Sequence, residues 1–433
     1  MELNRQFRFK NWAGNVKHIF PIFAQPKSEE ELILLIQKHD KVRVVGSGHS
    51  WSDYFATQEL MLNLDKYSRV LSIDSNGKTI TVQSGIKLWE LNSILDKEGL
   101  ALINLGSINK QSIAGAVSTG THGSGINFSC LADQVLKFSL ITADGEKLIF
   151  EKGDEQFQAT IIGLGALGVI SEVTLNVTSA FNLHDRTFTA NFKDVIDKLD
   201  EYVKGCDHFK LWWLPTSDDV VVYTYRRTDE KANDSRLRQI LNDEIISVLG
   251  YRLLVKIGNI HHPWRIPINK FLTKNFDKPL DRTEKSFKVF NVPEPPKHRE
   301  TEWAFDLKDA KQILSDYRKL FINTTHTFNF IQEIRFTKRD NFWMSPCYGR
   351  DTIWIGAYNH EDAQWPNILA DFEKFAIANN GRPHWGKEFS LRAKQISKIY
   401  DKYNDFVKLK ESLDPNRKFA NNLINELFKN HEK

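Results

Sequence analysis

Cysteine is scarce in this chain: Cys130, Cys206 and Cys347 are all there is in 433 residues, far apart and without a C-x-x-C pair. That odd, scattered set excludes a disulfide framework and a zinc site, and it suits a reducing compartment. No apolar run approaches the length of a membrane span, and Met1–Lys10 lacks the apolar core of a signal peptide. A cytoplasmic location is therefore expected. Charge of one sign is missing too: 59 Lys and Arg against 55 Asp and Glu give a net +4, with both signs interspersed. Such a balance argues against a nucleic-acid partner, which requires a concentrated basic stripe. The G-x-G-x-x-G fingerprint, internal repeats and low-complexity tracts are likewise absent. What remains is an ordinary soluble composition, 41% hydrophobic and 26% charged, in a chain too long for one hydrophobic core. The 29 Phe and 11 Trp supply aromatic surface for a core and a lined pocket besides.

Against that background two glycine-rich segments stand out. Val44-Val45-Gly46-Ser47-Gly48-His49-Ser50 carries a short apolar strand into two glycines that bracket a serine and precede a histidine. The glycines free the backbone for sharp turns and bare its N–H groups, so a diphosphate can approach closely. A second segment of this kind runs from Gly115 through Gly120-Thr121-His122-Gly123-Ser124-Gly125. Two such loops in the first third of the chain suggest a large dinucleotide lying extended between them.

Around them, local signals alternate helices with strand pairs. Ser28-Glu29-Glu30-Glu31 has capping-box form and predicts a helix ending near His39. Val42–Val45 reads as a buried strand. Asn76-Gly77 and Asp144-Gly145 each sit between apolar runs and predict hairpins. Leu88, Leu91, Ile94 and Leu95 recur at helical spacing, and Val169–Leu175 is strand-like behind Gly163–Gly168. The pattern is α+β rather than doubly wound. Composition shifts after Thr178, which places a boundary there: residues 1–178 form one domain, 179–380 a second, and 381–433 a C-terminal segment. Val292–Lys297 reads as an exposed, proline-stiffened loop or linker. The stretch Ile245–Ile257 is apolar with cationic punctuation and would suit either an interfacial helix or one packed in the second domain; the packed reading is favoured. His261 and His262, adjacent after it, read as surface histidines, and no metal site is expected.

The two loops resemble the FAD-binding loops of vanillyl-alcohol oxidase type flavoenzymes, and within that group the chain is similar to sugar-alcohol and aldonolactone oxidases, bacterial alditol oxidases above all. The resemblance runs through Asn11-Trp12-Ala13-Gly14, Gly165-Ala166-Leu167-Gly168, Glu333-Ile334-Arg335, Ser345–Thr352, Arg382-Pro383-His384-Trp385-Gly386-Lys387 and Leu413-Asp414-Pro415 with Asn421. It implies an FAD domain of two subdomains and an α+β cap domain with an antiparallel sheet. It implies FAD held by Gly46, Ser47, Gly48, His49, Ser50, Gly106, Ser107, Ala114, Gly115, Ser118, Thr119, Gly120, Thr121, His122, Ser124, Gly168, Val169, Ile170, His384 and Asn421, with a covalent bond through His49. Catalysis would fall to Glu333, Arg335 and Lys387. Glu333 and Arg335, at i and i+2, project to one side of a strand. Lys387 would be a partly desolvated lysine that shares in proton handling. Ser107 would touch substrate, and Gly106 would leave oxygen access to the flavin open. Where alditol oxidases carry a histidine and a threonine, this chain has Gly356 and Tyr358, an exchange expected to enlarge the pocket. The implied reaction oxidises a carbohydrate alcohol by hydride transfer to flavin, with O2 reduced to hydrogen peroxide. The substrate is an alditol-like polyol or a sugar lactone. An alternative is a dehydrogenase of the same fold that feeds a quinone or cytochrome, docked on a membrane.

Overall fold

In a computed structural model the described residues are 3–215, 217–233, 250–275, 280–322, 326, 328, 330–360 and 364–429. Three sheets organise them. The first joins β1 (Leu3–Lys10), β2 (Lys17–Ala24), β3 (Val42–Val45) and β4 (Leu60–Asn63) in the order β1-β2-β4-β3, with β3 and β4 parallel. The helix Glu29–Lys38 that leads into β3 starts as its sequence requires. The Ser28 hydroxyl accepts from the Glu31 N–H at 3.3 Å, while the Glu31 carboxylate accepts from the Lys27 N–H at 2.9 Å.

The second sheet is antiparallel and five-stranded. It uses β5 (Val70–Asp74), β6 (Thr79–Gln83), β8 (Val135–Ile141), β9 (Lys147–Glu151) and β10 (Val169–Asn176), in the order β5-β6-β10-β8-β9. The short β7 (Leu100–Ala101) and β11 (Thr178–Ser179) pair beside it. Both expected hairpins form. In the first, the left-handed residue is Lys78, at φ +52°, rather than Asn76 or Gly77, because Asp74 Oδ1 accepts from the Gly77 N–H at 2.8 Å and sets a longer turn. Part of the second glycine segment departs from expectation: Ile113–Ser118 is a helix, not a loop, with Ile113, Ala116 and Val117 buried beneath it.

The third sheet is eight-stranded and antiparallel. It contains β12 (Asn182–Asn191), β13 (His208–Trp213), β14 (Asp219–Thr228), β15 (Leu280–Lys285), β16 (Arg299–Asp306), β17 (Gln332–Thr337), β18 (Thr352–Asn359) and β19 (Arg382–Pro383), ordered β15-β12-β14-β13-β17-β18-β16-β19. Register divides its two faces cleanly. Leu211, Ile334, Ile355 and Trp303 form one cross-strand row, buried with Phe305, Phe336 and Trp213 against the helices Ala310–Ile322 and Trp365–Ala378. Burying each such side chain is worth roughly 1.5–3 kcal/mol. The neighbouring row, Trp212, Glu333, Gly356 and Glu302, faces the other way, as alternation demands. That second face is polar, charged and also buried.

Two sequence expectations change here. Val292–Lys297 is no free linker: the Val292 N–H donates to Ser107 O at 3.0 Å, Pro296 is buried, and Trp51 Nε1 donates to His298 O at 2.9 Å. Of the apolar stretch 245–257, residues 245–249 lie outside the described residues. The rest forms the helix Tyr251–Ile260, which buries Val255 and Gly258 but leaves Leu253 and Ile260 exposed, so it is packed on one side only. His261 is exposed, as expected, and among the described residues no helix is long and apolar enough to cross a membrane.

The sheets and the C-terminal segment are stitched together by one buried guanidinium. Arg43, on β3, donates to the carbonyls of Tyr54, Leu164, Gly165 and Phe419, and burial lowers its pKa to about 10. Lysine keeps the charge but cannot present that fork. Arg43→Lys is expected to lower unfolding free energy by about 2–3 kcal/mol through unpaired buried acceptors, measured as a fall in the urea midpoint. An unchanged midpoint would show that the guanidinium is not the staple.

Candidate active site

Between the first two sheets lies an open cleft of about 1140 Å³, mouth included. Gly46, Ser47, Gly48, His49 and Ser50 line it from one side, and Ala114, Gly115, Ser118 and Thr119 from another. Gly168, Val169 and Ile170 close it. Glycine is obligatory at Gly48, where φ is +68° and a Cβ would stand 2.8 Å from the Phe9 ring. The Ser47 hydroxyl is buried without a partner among the described residues. A lining of glycine backbone and small hydroxyl side chains fits an extended dinucleotide such as FAD.

His49 sits at the end of this cleft with its ring 5.7 Å from Trp12 and its Nε2 3.6 Å from Glu294. Burial first, then Lys387, Lys87 and Lys110, push its pKa down to about 4, so its imidazole is neutral at pH 7. The loop carrying His384 and Lys387 is pinned beside it: the Trp51 N–H donates to Gly386 O at 2.8 Å and the Ser52 hydroxyl to Lys387 O at 2.5 Å.

Beyond the cleft stands the charged face of the third sheet. Glu333 and Arg335 are buried and ion-paired with each other. Arg335 Nη2 also donates to Ser107 Oγ at 2.9 Å, and its Nη1 reaches His122 O at 3.4 Å. Glu333 accepts from Trp212 Nε1 at 2.9 Å and the Tyr358 hydroxyl at 3.2 Å, with Lys210 Nζ at 3.4 Å. Burial would raise its pKa, but Arg335 and Lys210 prevail and hold it at about 2. Both oxygens are spent on protein donors, so Glu333 is an anionic anchor rather than a base.

Lys387 enters the same space. Its Nζ lies 2.5 Å from Glu300 Oε2 and 4.2 Å over the Trp51 ring. Glu302, two residues along β16, faces His122 Nε2 at 3.5 Å, and the His122 ring stacks on Trp354 at 3.8 Å. Burial lowers the pKa of His384, alongside, to about 3.

Gly356 overturns one expectation. A Cβ there would stand 2.6 Å from Tyr358 Cε2, so the tyrosine ring lies over the glycine and occupies the room its missing side chain would have left. The exchange does not enlarge the pocket; it replaces a polar wall by a flat aromatic one.

The other residues named from sequence are dispersed. Gly106 O accepts from Asn291 Nδ2 at 2.9 Å, and a Cβ on Gly106 would stand 3.1 Å from His122 O. Gly120 takes φ +68° after the helix 113–118, and Thr121 Oγ1 accepts from Gln111 at 3.1 Å. Ser124 is spent on the third sheet, its hydroxyl on Phe209 O and its carbonyl on His208. Asn421 donates to the carbonyls of Asp53, Tyr54 and Ala56 and caps the final helix, so both ends of its amide hold backbone.

Missed from sequence were Arg43, Lys210, Trp212, His298, Glu300 and Glu302. The last two were legible in principle: Glu300-Thr301-Glu302-Trp303-Ala304-Phe305 places two carboxylates at i and i+2 opposite aromatic residues, the same strand logic as Glu333 and Arg335.

Comparisons with known proteins identify the family. An FAD-binding domain family matches residues 20–150, and the D-arabinono-1,4-lactone oxidase family matches residues 173–427. The L-gulonolactone oxidase of Scyliorhinus torazame is 31% identical over 98% of both chains. The L-gulono-1,4-lactone dehydrogenase of Mycobacterium tuberculosis is 31% identical over 95% of this chain and 97% of its own. An alditol oxidase from Streptomyces is 27% identical over 96% and 98%. The fold matches the crystal structure of cholesterol oxidase from B. sterolicum, with a TM-score of 0.84 at 14% identity over 99% and 97% of the two chains. A family match over more than half the chain, with full-length relatives at 31% identity, places this FAD-binding oxidoreductase in the D-arabinono-1,4-lactone oxidase family.

Proposed function

We propose that the protein oxidises a carbinol carbon of an aldonolactone, with FAD attached covalently through His49 and O2 as the electron acceptor. The observation that carries the substrate reading is the Tyr358 ring lying over Gly356. A flat aromatic wall with its hydroxyl committed to Glu333 suits a compact lactone ring better than a flexible open-chain polyol, which needs several polar partners. The relatives whose names specify a lactone support the same choice.

FAD supplies the hydride acceptor when bound. The cleft glycines and Ser47 hold its diphosphate. Arg335, fixed by Glu333 and Ser107, offers a permanent positive charge to the substrate oxygen as negative charge develops there. Lys387, paired with Glu300, orients the far side of the substrate. Gly106 carries no side chain to shield the flavin from oxygen.

A neutral imidazole is the form that can attack, and depression of the His49 pKa to about 4 keeps it so. Flavin attachment is therefore expected to proceed equally at pH 8 and pH 6 and to slow only as pH falls towards 4. Flavin retained by acid-precipitated protein reads this out; complete release of the yellow colour into the supernatant would sink the covalent assignment.

Glu333→Gln should loosen Arg335 and lower the rate of substrate-driven flavin reduction by about 10²–10³-fold while leaving flavin content unchanged. Normal turnover in that variant would remove Glu333 and Arg335 from the site.

The substrate itself is found by anaerobic bleaching of the flavin with aldonolactones and alditols. Lactones should bleach it rapidly and alditols slowly; the reverse order would return the reading to an alditol oxidase. Readmitting air should restore the oxidised spectrum and yield hydrogen peroxide, whereas a flavin indifferent to oxygen would mark a dehydrogenase. Gly356→His alone should clash with Tyr358 and lose thermal stability, whereas adding Tyr358→Thr should restore it and raise the rate with alditols.

A further inference from the structure

Oxidation of a carbinol releases a hydroxyl proton as well as a hydride, and most groups on the charged wall cannot take it. Glu333 has both oxygens engaged by donors. Arg335 stays protonated, and Lys210 and Lys387 are committed to Glu333 and Glu300. Tyr358 spends its proton on Glu333. Four buried acceptor atoms at the wall are left without a hydrogen-bond partner among the described residues: Nε2 of His122 and His298, and Oε1 of Glu300 and Glu302. All belong to β16 or face it.

These atoms form two pairs of like design. In each, a backbone carbonyl takes the histidine Nδ1–H, Gly123 O at 2.9 Å for His122 and Pro296 O at 2.8 Å for His298. That bond fixes the tautomer, so Nε2 of the neutral ring is a bare lone pair. His122 Nε2 then faces Glu302 Oε1 at 3.5 Å, and His298 Nε2 faces Glu300 Oε2 at 3.6 Å. Two acceptors opposed in a dry site repel, and a proton placed between them removes the repulsion. The pairs differ in one respect: Glu300 already holds the Lys387 ammonium, whereas no cationic side chain is ion-paired with Glu302 among the described residues. The His122–Glu302 pair is also joined directly to the Arg335 wall, because Arg335 donates to His122 O and Glu302 stands opposite Gly356 in the row that continues to Glu333.

His122, Glu302 and His384 also come within 4.8 Å of one another, a spacing that would admit a cation. His384 rules itself out as a ligand. Its Nδ1 accepts the Gly386 N–H at 2.9 Å, so its Nε2 carries the ring proton and neither nitrogen has a lone pair to give.

We propose that the His122–Glu302 pair is the proton acceptor of the reaction. The substrate O–H bond breaks, its proton forms a bond to His122 Nε2 in the gap shared with Glu302 Oε1, and the C–H electron pair leaves as hydride to the flavin. Glu302 is the counter-ion that faces the imidazolium once the proton has arrived. The charged or titratable groups facing the pair are His384, Lys387, Arg335, Tyr358 and, two residues along the strand, Glu300. This assignment rests on the reading that a carbinol is oxidised.

The test uses holoenzyme carrying Glu302→Gln, with His122→Asn as the second variant. Stopped-flow bleaching without oxygen should slow about 10²–10⁴-fold in both, with flavin content retained. The wild-type rate should fall with decreasing pH through one ionisation, and Glu302→Gln should shift that ionisation to lower pH. Nitrogen NMR of histidine-labelled oxidised holoenzyme supplies a readout that needs no substrate: the His122 Nε2 midpoint should drop by at least about one pH unit in Glu302→Gln. An unmoved midpoint, a wild-type bleaching rate, or a slower rate with an unchanged pH profile would each overturn the proposal. If neither lactones nor alditols bleach the wild-type flavin, the carbinol reading is what fails, and the His122 midpoint alone decides whether the pair is a coupled base.

Discussion

The fold is governed by the need to bury charge on one face of a sheet whose other face is a hydrophobic core. An antiparallel strand sends alternate residues to opposite sides, so Lys210 lies between the core residues Phe209 and Leu211, and Arg335 between Ile334 and Phe336. The polar face is closed from water by the glycine loops and the 384–387 loop, and unpaired charge there would be severely destabilising. The wall meets that constraint by stoichiometry: Lys210, Arg335 and Lys387 against Glu300, Glu302 and Glu333. Glu302 faces His122 instead of a cation; Glu333 pairs with Arg335 on its own strand, while Lys210 and Lys387 reach their carboxylates from another strand and a loop. The proposed catalytic geometry and the structural neutralisation are thus the same set of contacts.

The cofactor cleft solves the opposite problem. Its lining is backbone, and backbone cannot hold itself open. The bracing comes from buried side chains that spend themselves on carbonyls. Arg43 gathers three chain segments, and Asn421 holds the turn after the first glycine loop. Gly123 illustrates how close the packing is: a Cβ there would stand 2.4 Å from Leu105 O. The glycines admit the ligand, and the buried polar side chains keep the glycines in place.

How much of this was legible in the sequence follows from the range of each signal. Local chemistry was readable: the Ser28 cap, the two hairpins and the strand of Glu333 and Arg335 depend on neighbours within a few residues. The first glycine loop was readable because few structures besides a close-approach site require glycine at that density, whereas Ile113–Ser118 of the second segment folds as a helix. What escaped were residues whose meaning is tertiary. Lys210 looks like any lysine until β13 pairs with β17 and lays it beside Glu333. Arg43 sits in an apolar strand, and nothing local says that four carbonyls converge on it. Gly356 was misjudged for a related reason: a glycine reads as empty space, yet its vacancy was filled from two residues away on the same strand.

That last case bears on how substrate preference can change in such a sheet. Residues i and i+2 share a face, so a side chain gained at one position and lost at the other redraws the wall without moving the backbone. Gly356 and Tyr358 are one unit in this sense, since the ring fits only where the Cβ is missing. The tyrosine hydroxyl falls on Glu333, so the exchange also adds a donor to the anchor that fixes Arg335. Reshaping the pocket and tuning its charge are therefore not separable here. A wall built from interlocked ion pairs can alter its shape only through residues that also satisfy its electrostatics, and the uncharged Gly356–Tyr358 pair is such a place.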